Sequence, residues 1–432
     1  MKRFAFVGLG MVAGFGAALL VFPAAHGAND SAYKQLDLFS DAFERVRADY
    51  VHPVDDGQLV SSAIEGMVSG LDPHSSYMDA KSFADMKIQT KGQFGGLGIE
   101  VTMEDGLIKV ISPIDDTPAA RAGIKPGDFI AAIDGTPIQG MALNDAIEKM
   151  RGPQGSKITL TVLRSGAKKP FDVALTRAIV QVDSVKFHRD GDVGYIRLSA
   201  FNEETGPGLD RAIRTLKRQI GVGLKGYVLD LRNNPGGLLD QAVQVSDDFL
   251  NAGEIVSTRG RHPDDTSRYD AKPGDIADGK PVIVLINEGT ASASEIVAGA
   301  LQDHKRATIE GLTSFGKGSV QTIIPLSEGG GALRLTTARY YTPSGHSIQA
   351  RGIVPDVAVA QGDEDSATSK LEHLSEANLP GHLASEGTGK KAPPVIHPPA
   401  GKKIEDFQLT YALDMLRGKV AMNTAGKTAA AN

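Results

Sequence analysis

A multidomain α/β (α+β) protein is predicted by three changes of texture along 432 residues. Apolar positions recur at helical spacing up to residue 86, short β-rich runs with one helix fill 87–176, and strands alternate with helices over 177–360. A chain of this length with 41% hydrophobic residues can bury several cores. The expected division is a signal at 1–27, a helical N-terminal region at 28–86, a β-rich domain at 87–176, an α/β core at 177–360, a flexible linker at 361–402, and a C-terminal helix and tail at 403–432.

Composition removes whole classes of function. Net charge is -6, from 46 basic and 52 acidic residues with no basic stripe, so nucleic acid is not expected as a partner. Cysteine is absent, which excludes disulfides, thiolate metal sites and a cysteine nucleophile. Lys2 and Arg3 precede an apolar run over 4–22, and Ala25, His26 and Gly27 place small residues at the two positions a signal peptidase inspects. Export with cleavage after Gly27 is expected; the run also has the roughly 20 residues an uncleaved inner-membrane anchor needs. Gly8, Gly10 and Gly14 mimic a dinucleotide fingerprint, but no strand precedes them.

Leu36, Phe39, Phe43 and Val46, then Leu59, Ile64, Met67 and Leu71, carry the helical period of the N-terminal region. Asp72 and His74 follow in a Pro-broken turn, which reads as a capping turn and not as a metal pair. In the β-rich domain, strands are expected at 94–101, 107–111 and 158–163, with a helix at 142–150. Gly96-Leu97-Gly98-Ile99, Pro118-Ala119-Ala120-Arg121-Ala122-Gly123-Ile124 and Lys125-Pro126-Gly127-Asp128 together resemble a PDZ domain. That resemblance implies capture of a peptide C-terminus as an added strand, its carboxylate received by the backbone N–H groups of Gly96, Leu97, Gly98 and Ile99. Only small residues let a backbone approach an anion so closely.

In the α/β core, strands are expected at 193–198, 226–231 and 281–287, and helices at 208–220, 239–250 and 293–302. The loops 232–237 and 288–292 then fall at strand ends, where such folds carry their chemistry. Ser292 opens a helix whose terminus favours developing negative charge. Ser292-x-x-Glu295 is equally a capping box, and Thr290 and Ser294 are neighbouring hydroxyls. A serine nucleophile needs a base; His304 lies in a charged stretch and His346 in a polar turn, and neither suggests a triad. Lys317, between Gly316 and Gly318, can serve if desolvation lowers its pKa from about 10.4 towards roughly 7 to 8, and Gln321 can orient its amine. Residues 311–317 also match most of a phosphate-binding loop, but Gly318 stands where that motif needs Ser or Thr, and a strand is expected at 320–326 in place of a helix.

Taken in order, Gly70-Leu71-Asp72-Pro73-His74-Ser75, the PDZ phrases, Leu229-Asp230-Leu231-Arg232-Asn233-Asn234-Pro235-Gly236-Gly237-Leu238, Gly289-Thr290-Ala291-Ser292-Ala293-Ser294-Glu295-Ile296 and Phe315-Gly316-Lys317-Gly318-Ser319-Val320-Gln321 resemble the C-terminal processing peptidases, or tail-specific proteases. The resemblance implies a Ser/Lys protease core of crotonase-like type, with Ser292 as nucleophile, Lys317 as base, Gln321 orienting it, and Thr290 and Ser294 in support. The separation 317 − 292 = 25 fits that pattern. It further implies an oxyanion hole from the backbone N–H groups of Gly236, Gly237 and Ala293, and no metal or cofactor. Expected partners are proteins with exposed C-termini, an adaptor in some relatives, and a second copy of the chain through the helical N- and C-terminal regions. The competing function is a PDZ peptide-binding or chaperone module with a vestigial site. Beyond the core, 361–402 reads as polar linker with a short helix at 371–379, and Phe407, Leu409, Ala412, Leu413 and Leu416 mark an amphipathic helix.

Overall fold

The computed structural model describes residues 29–420 apart from 105, 115–116, 140, 142, 168, 182, 328, 362–374, 388–389 and 400–403. The expected signal and the residues from 421 onward lie outside the described residues. The chain divides into two units, Met1–Met67 and Val68–Asn432. In the first, the helical period is realised as α1 (Asn29–Asp49) and most of α2 (Asp56–Ser69), with Arg47 Nε and Asp56 Oδ1 3.1 Å apart. Leu36, Phe39 and Val46, part of the anticipated apolar stripe, are exposed.

The second unit opens with β1 (Ser76–Met78) and α3 (Ala80–Lys91). Asp79 caps α3 by accepting from Ser82 N at 2.7 Å, and Gly92 ends it with a φ of 65°. The β-rich part then runs β2 (Gln93–Gly96), β3 (Ile99–Glu104), β4 (Leu107–Pro113), α4 (Pro118–Arg121), β5 (Phe129–Ile133), β6 (Thr136–Pro137), α5 (Leu143–Met150), β7 (Lys157–Leu163), β8 (Phe171–Thr176) and β9 (Ala178–Gln181). Strands β3-β4-β5-β7-β8 form an antiparallel sheet, and β2 pairs with β9 beside it. Alternate residues of β7, Ile158, Leu160 and Val162, are buried with Ile108, Val110 and Ile130, the one-sided pattern of a sheet covering its own core. Strand β3 lies at the sheet edge.

The core continues with β10 (Val185–Asp190), β11 (Val193–Leu198), α6 (Thr205–Ile220), β12 (Gly226–Asp230), α7 (Leu239–Asp247), β13 (Glu254–Gly260), β14 (Thr266–Asp270), β15 (Val282–Ile286), α8 (Ala293–Asp303), β16 (Thr308–Gly311), β17 (Ser319–Pro325), β18 (Ala332–Tyr341), β19 (Val357–Ala358) and α9 (Phe407–Leu416). One sheet has the order β10-β11-β12-β15-β16-β19, parallel from β11 onward. Every residue of β12 and β15 is buried, because both faces are covered. Leu229, Val284 and Ile286 pack with α6, α7 and α8, whereas Val228, Ile283 and Leu285 pack with Ala412, Leu413 and Leu416 of α9. The C-terminal helix is thus spent on the second face of this sheet.

A second core sheet, β1-β18-β13-β14 with β17 on β18, contains four strands, β1, β13, β14 and β18, that the sequence does not announce. Strands β14 and β18 are largely half-exposed or exposed, and the buried middle of β13 includes Ser257 and Thr258, so all three are mixed in polarity and lack the apolar run that marks β12 and β15. The stretch read as flexible linker needs correction where it is described. Glu376, in a 3-10 turn over Glu376–Asn378, is fully buried, Glu386 bonds Tyr341 Oη at 2.8 Å, and Ile396 N donates to Ala358 O at 2.8 Å. Polar composition suggested solvent, but these polar groups have protein partners.

Candidate active site

Strands β12, β15 and β16 are neighbours running in the same direction, so the loops leaving their carboxyl ends converge on one edge. Those loops carry Gly236 and Gly237, Ser292, and Lys317 respectively. Ser292 has a φ of 56° and ψ of -116°, a backbone that a residue with a Cβ rarely adopts. Its turn is bolted to the preceding loop: Ala291 N and Ser294 Oγ both donate to Asn234 O at 3.0 Å, and Thr290 Oγ1 donates to Leu231 O at 2.9 Å. The supporting hydroxyls therefore act on the elbow that presents Ser292.

Gly236 packs directly on Ser292. A Cβ placed there would lie 2.8–2.9 Å from Ala291 O, Ala293 N and Ser292 Cβ. Its own N–H is committed to Asn234 Oδ1 at 2.9 Å, which corrects its expected role as a free oxyanion donor. Among the described residues no hydrogen bond is recorded from Gly237 N or Ala293 N. Gly237, with a φ of 145°, runs so close to Phe201 that an added Cβ would sit 2.1 Å from its carbonyl oxygen.

Lys317 follows Gly316, whose φ of 95° turns the chain before β17 begins. A strand follows the lysine, where a phosphate-binding loop would lead into a helix. Burial pushes the Lys317 ammonium below the ordinary lysine range, Arg334 adds to this, and Glu376, Glu295 and Asp72 oppose it. Among the described residues no hydrogen bond joins its amine to Ser292 Oγ. The two residues meet instead through their backbones. Ser292 N and Lys317 N donate to the same Glu295 oxygen, Oε2, at 2.7 and 2.9 Å. Glu295 Oε1 accepts from Gly316 N at 2.7 Å and Ser314 Oγ at 2.5 Å. Glu295 is fully buried, and that burial pushes its carboxyl up to about 7 against the four hydrogen bonds.

Gln321 lies on β17 with its Nε2 held by Ser319 Oγ at 2.9 Å and Thr336 Oγ1 at 3.2 Å, and among the described residues it makes no hydrogen bond to Lys317. Thr336 Oγ1 donates in turn to Asp72 Oδ1 at 3.0 Å. Asp72 also accepts from His74 N, Ser75 N and Ser75 Oγ, the turn the sequence suggested, now docked on β18. His74 Nε2 lies 2.7 Å from Glu376 Oε2, Gln349 Nε2 donates to Glu376 Oε1 at 2.9 Å, and Gln349 Oε1 accepts from Gly318 N at 3.1 Å. Sequence reasoning missed Asn234, Gln349 and Glu376 and saw Glu295 only as a cap. For Glu295 and Asn234 a signal existed, since both stand within the motifs; for Gln349 and Glu376 spacing offered none.

In the β-rich domain, Phe94, Gly96, Leu97, Gly98, Ile99 and Ile147 help to line a groove of about 210 Å³ between β3 and α5. Gly98 has a φ of 74° and abuts Thr117, whose Oγ1 donates to Gly98 O at 3.2 Å. An unpaired edge strand beside an apolar groove is suited to adding one more strand.

Three family models match the chain: peptidase family S41 over residues 192–359, PDZ domain over 95–175, and activating protease CtpB N-terminal domain over 21–82. The chain is 57% identical over 396 residues to a carboxy-terminal-processing protease of Bartonella bacilliformis, covering 90% of each. It is 35% identical over 400 residues to the carboxy-terminal processing protease CtpA of Bacillus subtilis, covering 91% of this chain and 83% of that one. Among solved structures, a photosystem II D1 C-terminal processing protease aligns with 78% of this chain and 95% of its own, at 32% identity and a TM-score of 0.43.

Proposed function

The chain belongs to the carboxy-terminal-processing proteases, serine peptidases of family S41 with a PDZ domain, and we propose that it cuts exported proteins with a Ser292–Lys317 dyad after capturing their C-termini along β3. The observation that carries the dyad is the shared Glu295 oxygen, which holds the backbones of both residues to one point. Ser292 Oγ attacks the scissile carbonyl while the Lys317 amine takes its proton; the amine returns that proton to the leaving nitrogen, and water then releases the acyl group from Ser292. The N–H groups of Gly237 and Ala293 receive the oxyanion, such a donor being worth about 3 to 4 kcal/mol of transition-state stabilisation. Gln321 orients the amine once Lys317 swings towards Ser292. The enzyme works outside the cytoplasm, as the basic and apolar N-terminal sequence supports, and assembles with a second copy through the exposed Leu36, Phe39 and Val46 of α1, not through α9, whose apolar face is already covered by the core sheet.

A peptide-binding module with a vestigial site is favoured by one observation, the missing side-chain bond between Ser292 and Lys317. Incubating wild type, Ser292→Ala and Lys317→Ala with an unfolded protein separates the readings. Cleavage by wild type, none by Ser292→Ala and a loss of about 10³-fold for Lys317→Ala is expected. Equal cleavage by all three removes the dyad, and retained peptide binding with no cleavage by wild type supports the module.

A further inference from the structure

The geometry points to Glu295 as a positioning residue that couples the nucleophile to its base, a role beyond the helix cap its spacing suggests. This inference rests on the Ser292–Lys317 reading. An ordinary capping box needs one acceptor at its third position, and Gln fills that position as well as Glu. Here the side chain meets four donors, two on each oxygen: Ser292 N and Lys317 N on Oε2, Gly316 N and Ser314 Oγ on Oε1. Only a carboxylate offers two acceptor oxygens; an amide has one, and its NH2 group would face two further donors whichever way it turned.

Each donor matters to geometry. The φ of 56° at Ser292 costs energy and persists only under outside restraint, and the bond from its own N–H to Glu295 supplies part of that restraint. Lys317 lies in the irregular segment just before β17 with no helix to hold it, so its amide and that of Gly316 fix where its side chain starts. Ser314 extends the clamp, because its Oγ also accepts from Ile353 N at 2.6 Å. One side chain on the first turn of α8 thus sets the separation between two loops that leave different strands.

The test uses the full chain as wild type, Glu295→Gln, Ser314→Ala and Ser292→Ala, an unfolded protein substrate, and a fluorescent peptide with a free apolar C-terminus for groove affinity. Glu295→Gln preserves size and the cap, so an unchanged peptide affinity with kcat reduced about 100-fold or more and KM within about threefold is expected. A kcat within about twofold of wild type overturns the coupling, because a cap alone accepts Gln. Should Glu295→Gln fail to fold, Ser314→Ala decides: it keeps the carboxylate and removes one donor, so a several-fold fall in kcat at constant KM supports the clamp and an unchanged kcat overturns it. Cleavage by Ser292→Ala would sink the dyad itself; an inactive Ser292→Ala beside a fully active Glu295→Gln sinks only the clamp.

Discussion

Lys317 shows why a base in this position must be read with its neighbours. In its proposed role as general base it would act only when neutral, and burial, chiefly, with help from Arg334, moves its pKa below the ordinary lysine value of about 10.4. Glu376, Glu295 and Asp72 pull in the other direction, so the shift is a balance. Because the neutral form lies on the alkaline side, kcat is expected to rise with pH through the lowered value and then level off. A pH–rate profile checks this, and an alkaline limb centred at or above 10.4 would contradict it. The residue type and the motif around Lys317 were legible in the sequence. Its electrostatic setting was not, since Glu376 and Asp72 come from opposite ends of the second unit and no local spacing relates them.

At the scale of elements, the functional loops owe their position to a parallel sheet whose strands were readable because both faces are buried. The runs 226–230 and 282–286 are continuously apolar apart from Gly226 and Asp230, which is what double coverage requires. The loop 232–237 is shaped by contacts that only the fold reveals. Gly237 pairs by a bridge with Phe201, and Leu238 N donates to Phe201 O at 2.8 Å. Gly237→Ala would drive a methyl group into that carbonyl at 2.1 Å, so the loop must shift. The expected result is a destabilisation of about 1 to 3 kcal/mol in thermal or denaturant unfolding, with kcat falling about 100-fold and peptide affinity at β3 unchanged. Equal kcat in Gly237→Ala and wild type would show that this loop does not serve the reacting carbonyl. By contrast, β13, β14 and β18 are not legible in the sequence because strands of mixed polarity carry no continuous apolar signal, even where, as in β13, most of the strand is buried.

The whole second unit carries a cost that its sequence hides. Glu310, on β16, is fully buried, neither of its carboxyl oxygens has a hydrogen-bond partner among the described residues, and burial pushes it up to about 9 despite nearby Arg232, with Asp406 adding to the rise. The folded chain therefore keeps a proton that the unfolded chain, titrating at 4.5, releases. The stability this proton represents is fully present below pH 4.5 and is lost progressively up to about 9. Glu310→Gln removes the dependence and is expected to stabilise the protein by about 3 kcal/mol at pH 7, with the gain growing between pH 5 and 8 in denaturant titrations. A gain independent of pH would refute the assignment. Arg232, whose charge acts on Glu310, bonds Asp230 at 2.7 Å and Asp406 at 2.8 Å, tying the N-cap of α9 to the loop that leads to Gly236. Domain order, the PDZ phrases and the motifs that contain Ser292 and Lys317 can all be read from the chain, because periodicity, glycine placement and motif order are local properties. The meeting of Ser292 and Lys317 on one Glu295 oxygen, the loss of Gly236 N–H to Asn234, and the use of α9 as a sheet cover belong to the fold. Each depends on which groups from distant segments arrive within hydrogen-bond reach or on one apolar face, and only the packed chain decides that.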